Sequence, residues 1–176
     1  MTGLQRSLAL LLVLGWTGTA SAGLSLWWVE QKVAFRYDVE EVRVETLAGR
    51  LKGGGTPPLL FDVRSEAEYA VSRIQGAVRV DPGLSAKTFL GRHGARIRDR
   101  DLVFYCSVGE RSARLAERVQ EPALAAGALS VANLRGGLFR WYNEGHPVVN
   151  AQGETDAVHP YGPDWEHLVE KRGGGD

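Results

Sequence analysis

The chain has 176 residues, 44% of them apolar, and its 21 basic side chains balance its 21 acidic ones. That length suits one domain with a real core and is short for two, and the charge balance argues against a nucleic-acid surface. A single cysteine excludes an internal disulfide and a cysteine-built metal site, and His93, His146, His159 and His167 lack close metal-ligand spacing, so no metal is expected.

At the N-terminus, Arg6 precedes an apolar run from Leu8 to Trp16, and Ala20-Ser21-Ala22 follows. This is the layout of a signal peptide over residues 1–22, with a mature chain beginning at Gly23. The rival reading is an uncleaved anchor over residues 7–29, because no charge occurs between Arg6 and Glu30 and such a stretch is long enough to span a bilayer. Trp27 and Trp28 would then sit at the interface. Thr17, Gly18, Thr19, Ser21, Gly23 and Ser25 dilute that stretch and favour cleavage. Either way, the rest of the chain is expected in an exported compartment, the periplasm or its equivalent, a thylakoid lumen included.

Residues 24–37 lack turn residues and read as a short helix whose apolar face carries Leu24, Trp27, Trp28 and Phe35. It belongs to an N-terminal arm over 23–45. A main domain over 46–150 and a tail with a short helix over 151–176 follow. After a brief extended stretch, a helix opens with Glu45 or Thr46 as cap. Lys52 to Pro58 is a loop. "PLLFDV" is a buried strand ending at Asp62, and "SEAEYAVSRI" is a helix with Ser65 as N-cap and Glu68 as its capping-box partner. "GAVRV" is a short strand, "SAKTFLGRHG" a helix stopping at Gly94, and "DLVFY" a second apolar strand. "RSARLAERV" is a helix ended by Pro122, "LSVANL" a further core strand, and "GLFRWYNEG" a helix closed by Gly145. The closing "RGGGD" reads as disordered. Short strands alternating with helices imply a parallel sheet covered on both faces.

Ligands of open parallel sheets bind beyond the carboxyl ends of the strands. Cys106 lies directly after "DLVFY" and directly before a helix, so residues 107–111 must wrap around a helix N-terminus. There backbone N–H groups lack internal partners and the helix dipole presents its positive end. Gly109 lets the backbone turn. The result is a cup for an anion with a sulfur at its base, and the first anion it would stabilise is the thiolate itself. Arg111, folded inward, would add to this. A buried inert cysteine is the plain alternative, but the residues after Cys106 are turn and cap residues rather than core.

From about Thr46 to Val149 the sequence resembles the rhodanese family. "FDVRSEAEY" is similar to its D-V-R-x-x-x-E-aromatic signature, and "RIQGAVRV" to its H-I-x-G-A segment. "YCSVGERSA" is similar to its C-x-x-G-x-R-S loop, and "LRGGLFRWYNEGHPV" to its closing L-x-G-G-x-x-x-W-x-x-x-G-x-P-V. The "CSVG" form and the late His159 to Trp165 "HPYG" stretch also look like a bacterial and cyanobacterial single-domain subgroup. The resemblance implies a rhodanese-like α/β fold with about five parallel strands, here preceded by a short helix. It implies a persulfide on Cys106, taken from thiosulfate or a persulfide donor and passed to cyanide or a thiol, with no cofactor. It places Ser107, Val108, Gly109, Glu110, Arg111 and Ser112 around the sulfur. Asp62 is implied to bond neighbouring backbone, and Arg64 to lie near the loop. An ion pair or turn cap is the plain reading of those two, and a tight turn that of Gly136 and Gly137.

Two positions depart from the pattern: Arg73 stands where the family usually has His, and Gln75 where it often has Pro. Glu110 inside an anion loop should disfavour a dianionic donor if it faces the cup. A related phosphatase spaces its cysteine and arginine by five residues, whereas only Ser107 to Glu110 separate Cys106 from Arg111. The smaller cradle argues against a phosphatase or arsenate reductase. A sulfur carrier, redox sensor or docking module without turnover is the non-enzymatic alternative.

Overall fold

The computed structural model describes residues 20–170, with side chains from residue 25 onward. The Leu8–Trp16 run and the closing "RGGGD" lie outside the described residues. The elements are α1 (Ala20–Arg36), β1 (Glu40–Val42), α2 (Val44–Lys52), β2 (Leu59–Asp62), α3 (Glu66–Val71), β3 (Val78–Arg79), α4 (Ala86–Ile97), β4 (Asp101–Tyr105), α5 (Glu110–Ala125), β5 (Ser130–Leu134) and α6 (Gly137–Asn143). A short antiparallel pair, β6 (Val148–Val149) and β7 (Glu154–Thr155), and a 3-10 turn, Pro163–Leu168, close the chain.

The sheet is parallel throughout, in the order β1-β5-β4-β2-β3. Its middle strand, β4, is apolar on both sides because helices cover both faces. Leu102 and Phe104 pack with Phe61, Phe89, Leu115 and Val119 on one face. Val103 and Tyr105 pack with Leu60, Leu134 and Trp141 on the other. Each such fully buried side chain contributes roughly 1.5–3 kcal/mol. Cys106 continues the period of two and sits on the Phe104 side, at the carboxyl end of the sheet.

The capping box of α3 forms as expected. Glu68 N–H donates to Ser65 Oγ (3.3 Å), and Ser65 N–H donates to Glu68 Oε2 (3.0 Å). Other boundaries move, and packing explains the shifts. Helix α2 starts at Val44 after Arg43, with no side-chain cap, because Val44 and Leu47 are buried. Helix α4 runs past Gly94 to Ile97. Fully buried Ile97 outweighs the roughly 1 kcal/mol that a helical glycine costs. Helix α5 runs past Pro122 to Ala125; the proline loses one donor, but its carbonyl still accepts from Ala126 N–H (3.0 Å). The sheet begins at Glu40, inside the stretch expected to be an arm, since β1 pairs with β5.

The helix expected over 24–37 forms, but it packs on the opposite face. Trp28 and Phe35 point outward, and Phe35 is 96% exposed. The buried stripe is Leu26, Glu30, Val33 and Tyr37, roughly half a turn away at 3.6 residues per turn. Glu30 interrupts that stripe in the sequence and hides it. It is buried because Arg140 meets it at 2.8 Å and Arg135 at 3.5 Å, and a buried carboxylate is tolerated only when paired.

Candidate active site

The loop after β4 is built by three backbone devices. Gly109 adopts φ +99°, and a side chain there would press on Asn133 Nδ2 (3.3 Å) and Leu134 O (3.4 Å). Glycine lets the chain turn at that point and aim its N–H back at Cys106 Sγ, 3.2 Å away. The second device is the N-terminus of α6: Leu138 N–H donates to Cys106 O (2.8 Å) and Phe139 N–H to Ser107 O (2.9 Å). With these carbonyls held from behind, the loop's donors are left to face the sulfur. The third is Gly137, at φ +58°, where a Cβ would collide with the carbonyl oxygens of Cys106 and Ser107. Gly136 and Gly137 therefore form a tight turn that seats the loop.

Cys106 lies at the base of a cup of about 80 Å³ lined by Ser107, Val108, Glu110, Arg111, Tyr161 and Trp165. That leaves room for a few heavy atoms. Arg111 does fold inward. Its Nη2 donates to Glu68 Oε1 (2.7 Å) and Ser107 Oγ (3.0 Å), and its Nη1 to Glu68 Oε2 (3.0 Å). Ser107 Oγ donates in turn to Glu68 Oε1 (2.9 Å). Burial opposes charge on Glu68, but Arg111 and the Ser65 donors outweigh it and hold the carboxyl at about 2. Burial likewise opposes charge on Arg111. Its bonds to Glu68 and the charge of a Cys106 thiolate reverse that and raise its affinity for the proton.

In the sequence Glu68 stands as a capping-box partner and as the acidic position of the D-V-R-x-x-x-E-aromatic signature. It also orients Arg111 and Ser107, and its place three residues after the Ser65 cap reports only the capping task. The tail was missed as well. Tyr161 lays its ring against the Arg111 guanidinium (4.6 Å), and it does so from φ +69°, a strained backbone for a bulky residue. Trp165 completes the wall. Val108 packs behind the loop with Leu26 of α1, Phe139 and Leu168, so α1 and the closing 3-10 turn both brace the cup.

The remaining expected site residues divide. Glu110 lines the cup, but Arg36 (3.8 Å) and Arg114 (3.7 Å) engage its carboxylate. Ser112 is buried behind the loop, 3.1 Å from Gly109 O and 2.7 Å from Asn133 Oδ1. Asp62 and Arg64 form a fully buried ion pair (2.6 Å) and do not line the cup. Asp62 accepts from Arg64 N–H (3.1 Å), and Arg64 also donates to Ser72 O (2.5 Å). They pin the turn after β2, the ion-pair role that is the plain reading of the two residues, and Arg64 lies over the Tyr105 ring (5.9 Å) just before Cys106. Arg73 bridges to Val149 through paired backbone bonds of 2.9 Å and stacks on Tyr69 (4.7 Å), so its departure from the pattern does not touch the cup.

A parallel α/β sheet with a cysteine loop at its carboxyl edge, running straight into a helix, is the class of architecture the chain presents. Residues 44–144 match the model of the rhodanese-like domain, and the chain belongs to the rhodanese family. A sulfurtransferase of Allochromatium vinosum is 33% identical over 115 residues, 65% of this chain and 99% of that one. A Bacillus halodurans protein of known structure shares the fold with a TM-score of 0.55 at 17% identity, over 83% of this chain and 97% of its own. A Rhodopseudomonas palustris protein described as a possible tyrosine phosphatase does so with 0.52 at 20%, over 83% and 99%. Family membership and the Allochromatium relative support a sulfurtransferase-type function for this chain.

Proposed function

We propose that the protein carries sulfane sulfur as a persulfide on Cys106, taken from thiosulfate or a persulfide and passed to a thiol or cyanide. The observation that carries this reading is the Gly109 N–H aimed at Sγ (3.2 Å) at the base of a cup of about 80 Å³. The thiolate attacks the outer sulfur of the donor, an S–S bond forms on Sγ, and sulfite leaves when thiosulfate is the donor. The acceptor then attacks that outer sulfur and Cys106 departs as a thiolate, a two-stage covalent route. Loop N–H groups and Arg111 stabilise the negative charge at both stages. The four-residue spacing from Cys106 to Arg111 and the small cup speak against phosphoryl chemistry.

The test is thiosulfate:cyanide transfer by the wild type and Cys106→Ser. Transfer by the wild type with ping-pong kinetics, lost in a folded variant, is the expected result. Transfer retained by the variant would overturn the assignment. We also propose, from Arg6, the Leu8–Trp16 apolar run and Ala20-Ser21-Ala22, that the chain is exported and cleaved after Ala22. N-terminal sequencing from the native host checks this, with Gly23 expected and an intact Met1 in the membrane fraction contradicting it.

A further inference from the structure

Beside the cup lies a larger cavity of about 580 Å³. One side of it is α1 from Val29 to Arg36 with Tyr37 just beyond, and Trp165 and Glu110 complete it. Those last two residues also line the cup, so the two spaces meet there. The size falls within the ~300–1,000 Å³ of small-molecule sites. Helix α1 and Trp165 lie outside residues 44–144, so most of the cavity's wall falls outside the stretch that matches the family domain.

The lining has a definite chemistry. Val29, Val33 and Trp165 give an apolar floor. Lys32 and Arg36, one turn apart on α1, supply two cations against the single acid Glu110. Glu110 is already engaged by Arg36 and Arg114, while Lys32 has no ion pair among the described residues. The site thus suits a ligand with an apolar body and a carboxylate, with Lys32 the cation left to meet that carboxylate.

We infer that this cavity is the acceptor subsite of the sulfur transfer and takes a small carboxylate-bearing thiol, its sulfur at the Glu110–Trp165 junction and its carboxylate at Lys32. The inference rests on the persulfide reading above. The acceptor thiolate forms a bond to the outer sulfur of the Cys106 persulfide, and the Sγ–S bond breaks with its electron pair staying on Sγ. The acceptor leaves as a persulfide and Cys106 as a thiolate, with no external oxidant or reductant.

The probes are N-acetylcysteine and N-acetylcysteinamide, which share a body and differ in the carboxylate. Their kcat/KM values are compared per thiolate on the full chain loaded with sulfur. The wild type should favour the acid, less so in high salt. Lys32→Glu should lower the acid-to-amide ratio by about fivefold, a magnitude set by the modest worth of exposed charge pairs. A wild-type ratio of one or less, or a variant that changes both probes equally, overturns the subsite. Calorimetric binding of S-methyl-N-acetylcysteine, which cannot accept sulfur, separates this from the parent reading. Binding weakened by Lys32→Glu in a protein that takes up no sulfur would sink the persulfide chemistry and leave the carboxylate site standing. Absent binding, or binding indifferent to Lys32, overturns the site whatever Cys106 does.

Discussion

Glu68 is the residue on which most of the cup's geometry depends. Its two oxygens bind Arg111, Ser107 and the Ser65 cap at once, and its side chain is 3% exposed. Glu68→Gln leaves one fewer acceptor and an Arg111 charge without its partner. Breaking a buried pair costs 3–5 kcal/mol, and the partial exposure of Arg111 brings this to about 2 kcal/mol. Urea unfolding should show that loss, and thiosulfate transfer should fall further than stability alone explains, because Arg111 swings off the sulfur. Glu110 behaves differently. Its carboxylate faces two guanidinium groups, so the repulsion expected of an acid in an anion loop is largely cancelled. Glu110→Gln should raise kcat/KM for thiosulfate only about twofold at low ionic strength, given screening of exposed charges. A tenfold gain would mean the carboxylate points into the cup without its partners.

At the scale of elements, α6 does more than cover the sheet. Its first N–H groups hold the Cys106 and Ser107 carbonyls, and Gly137 permits that approach. Gly137→Ala adds both a collision and a left-handed strain, so a loss of about 2 kcal/mol or more is expected. For a domain of this size that corresponds to a fall in Tm of roughly 5 °C, together with loss of sulfur transfer. An unchanged Tm would contradict the seating role given to α6. The strands and most helices were legible because each reports a strong local pattern: "DLVFY" and "LSVANL" are unbroken apolar runs, and Ser65 with Glu68 is a capping pair. The misplaced face of α1 was not legible, because Glu30 sits in the buried stripe and only the distant Arg135 and Arg140 make its burial tolerable. The tail's part in the cup was hidden for the same reason. Tyr161 reaches Arg111 across the fold, and no spacing along the chain reports that contact. Cys106 and Arg111 were legible because a strand end, a turn and a helix start adjoin in one short stretch.

For the whole molecule, Glu68 links the site to stability. Its carboxyl is held at about 2 against an ordinary value of 4.5. The folded-state value is the lower, so the stabilisation is fully present above 4.5 and is lost as pH falls from there toward 2. At 1.36 kcal/mol per unit, the linkage is worth about 3 kcal/mol at most. The wild type should lose that stability across this window, and Glu68→Gln should show a visibly flatter acid limb. Identical limbs would remove Glu68 from the account. Helix α1 and the closing 3-10 turn also bear on the cup, since Leu26 and Leu168 pack against Val108.

The central claim is that Cys106 holds transferable sulfur. Intact mass spectrometry of the protein after exposure to thiosulfate or a persulfide tests it most directly. The account predicts a species one sulfur atom heavier, with the added mass on Cys106, removed by cyanide and absent in Cys106→Ser. A wild type that gains no sulfur from either donor, or an adduct that persists in Cys106→Ser, would contradict it.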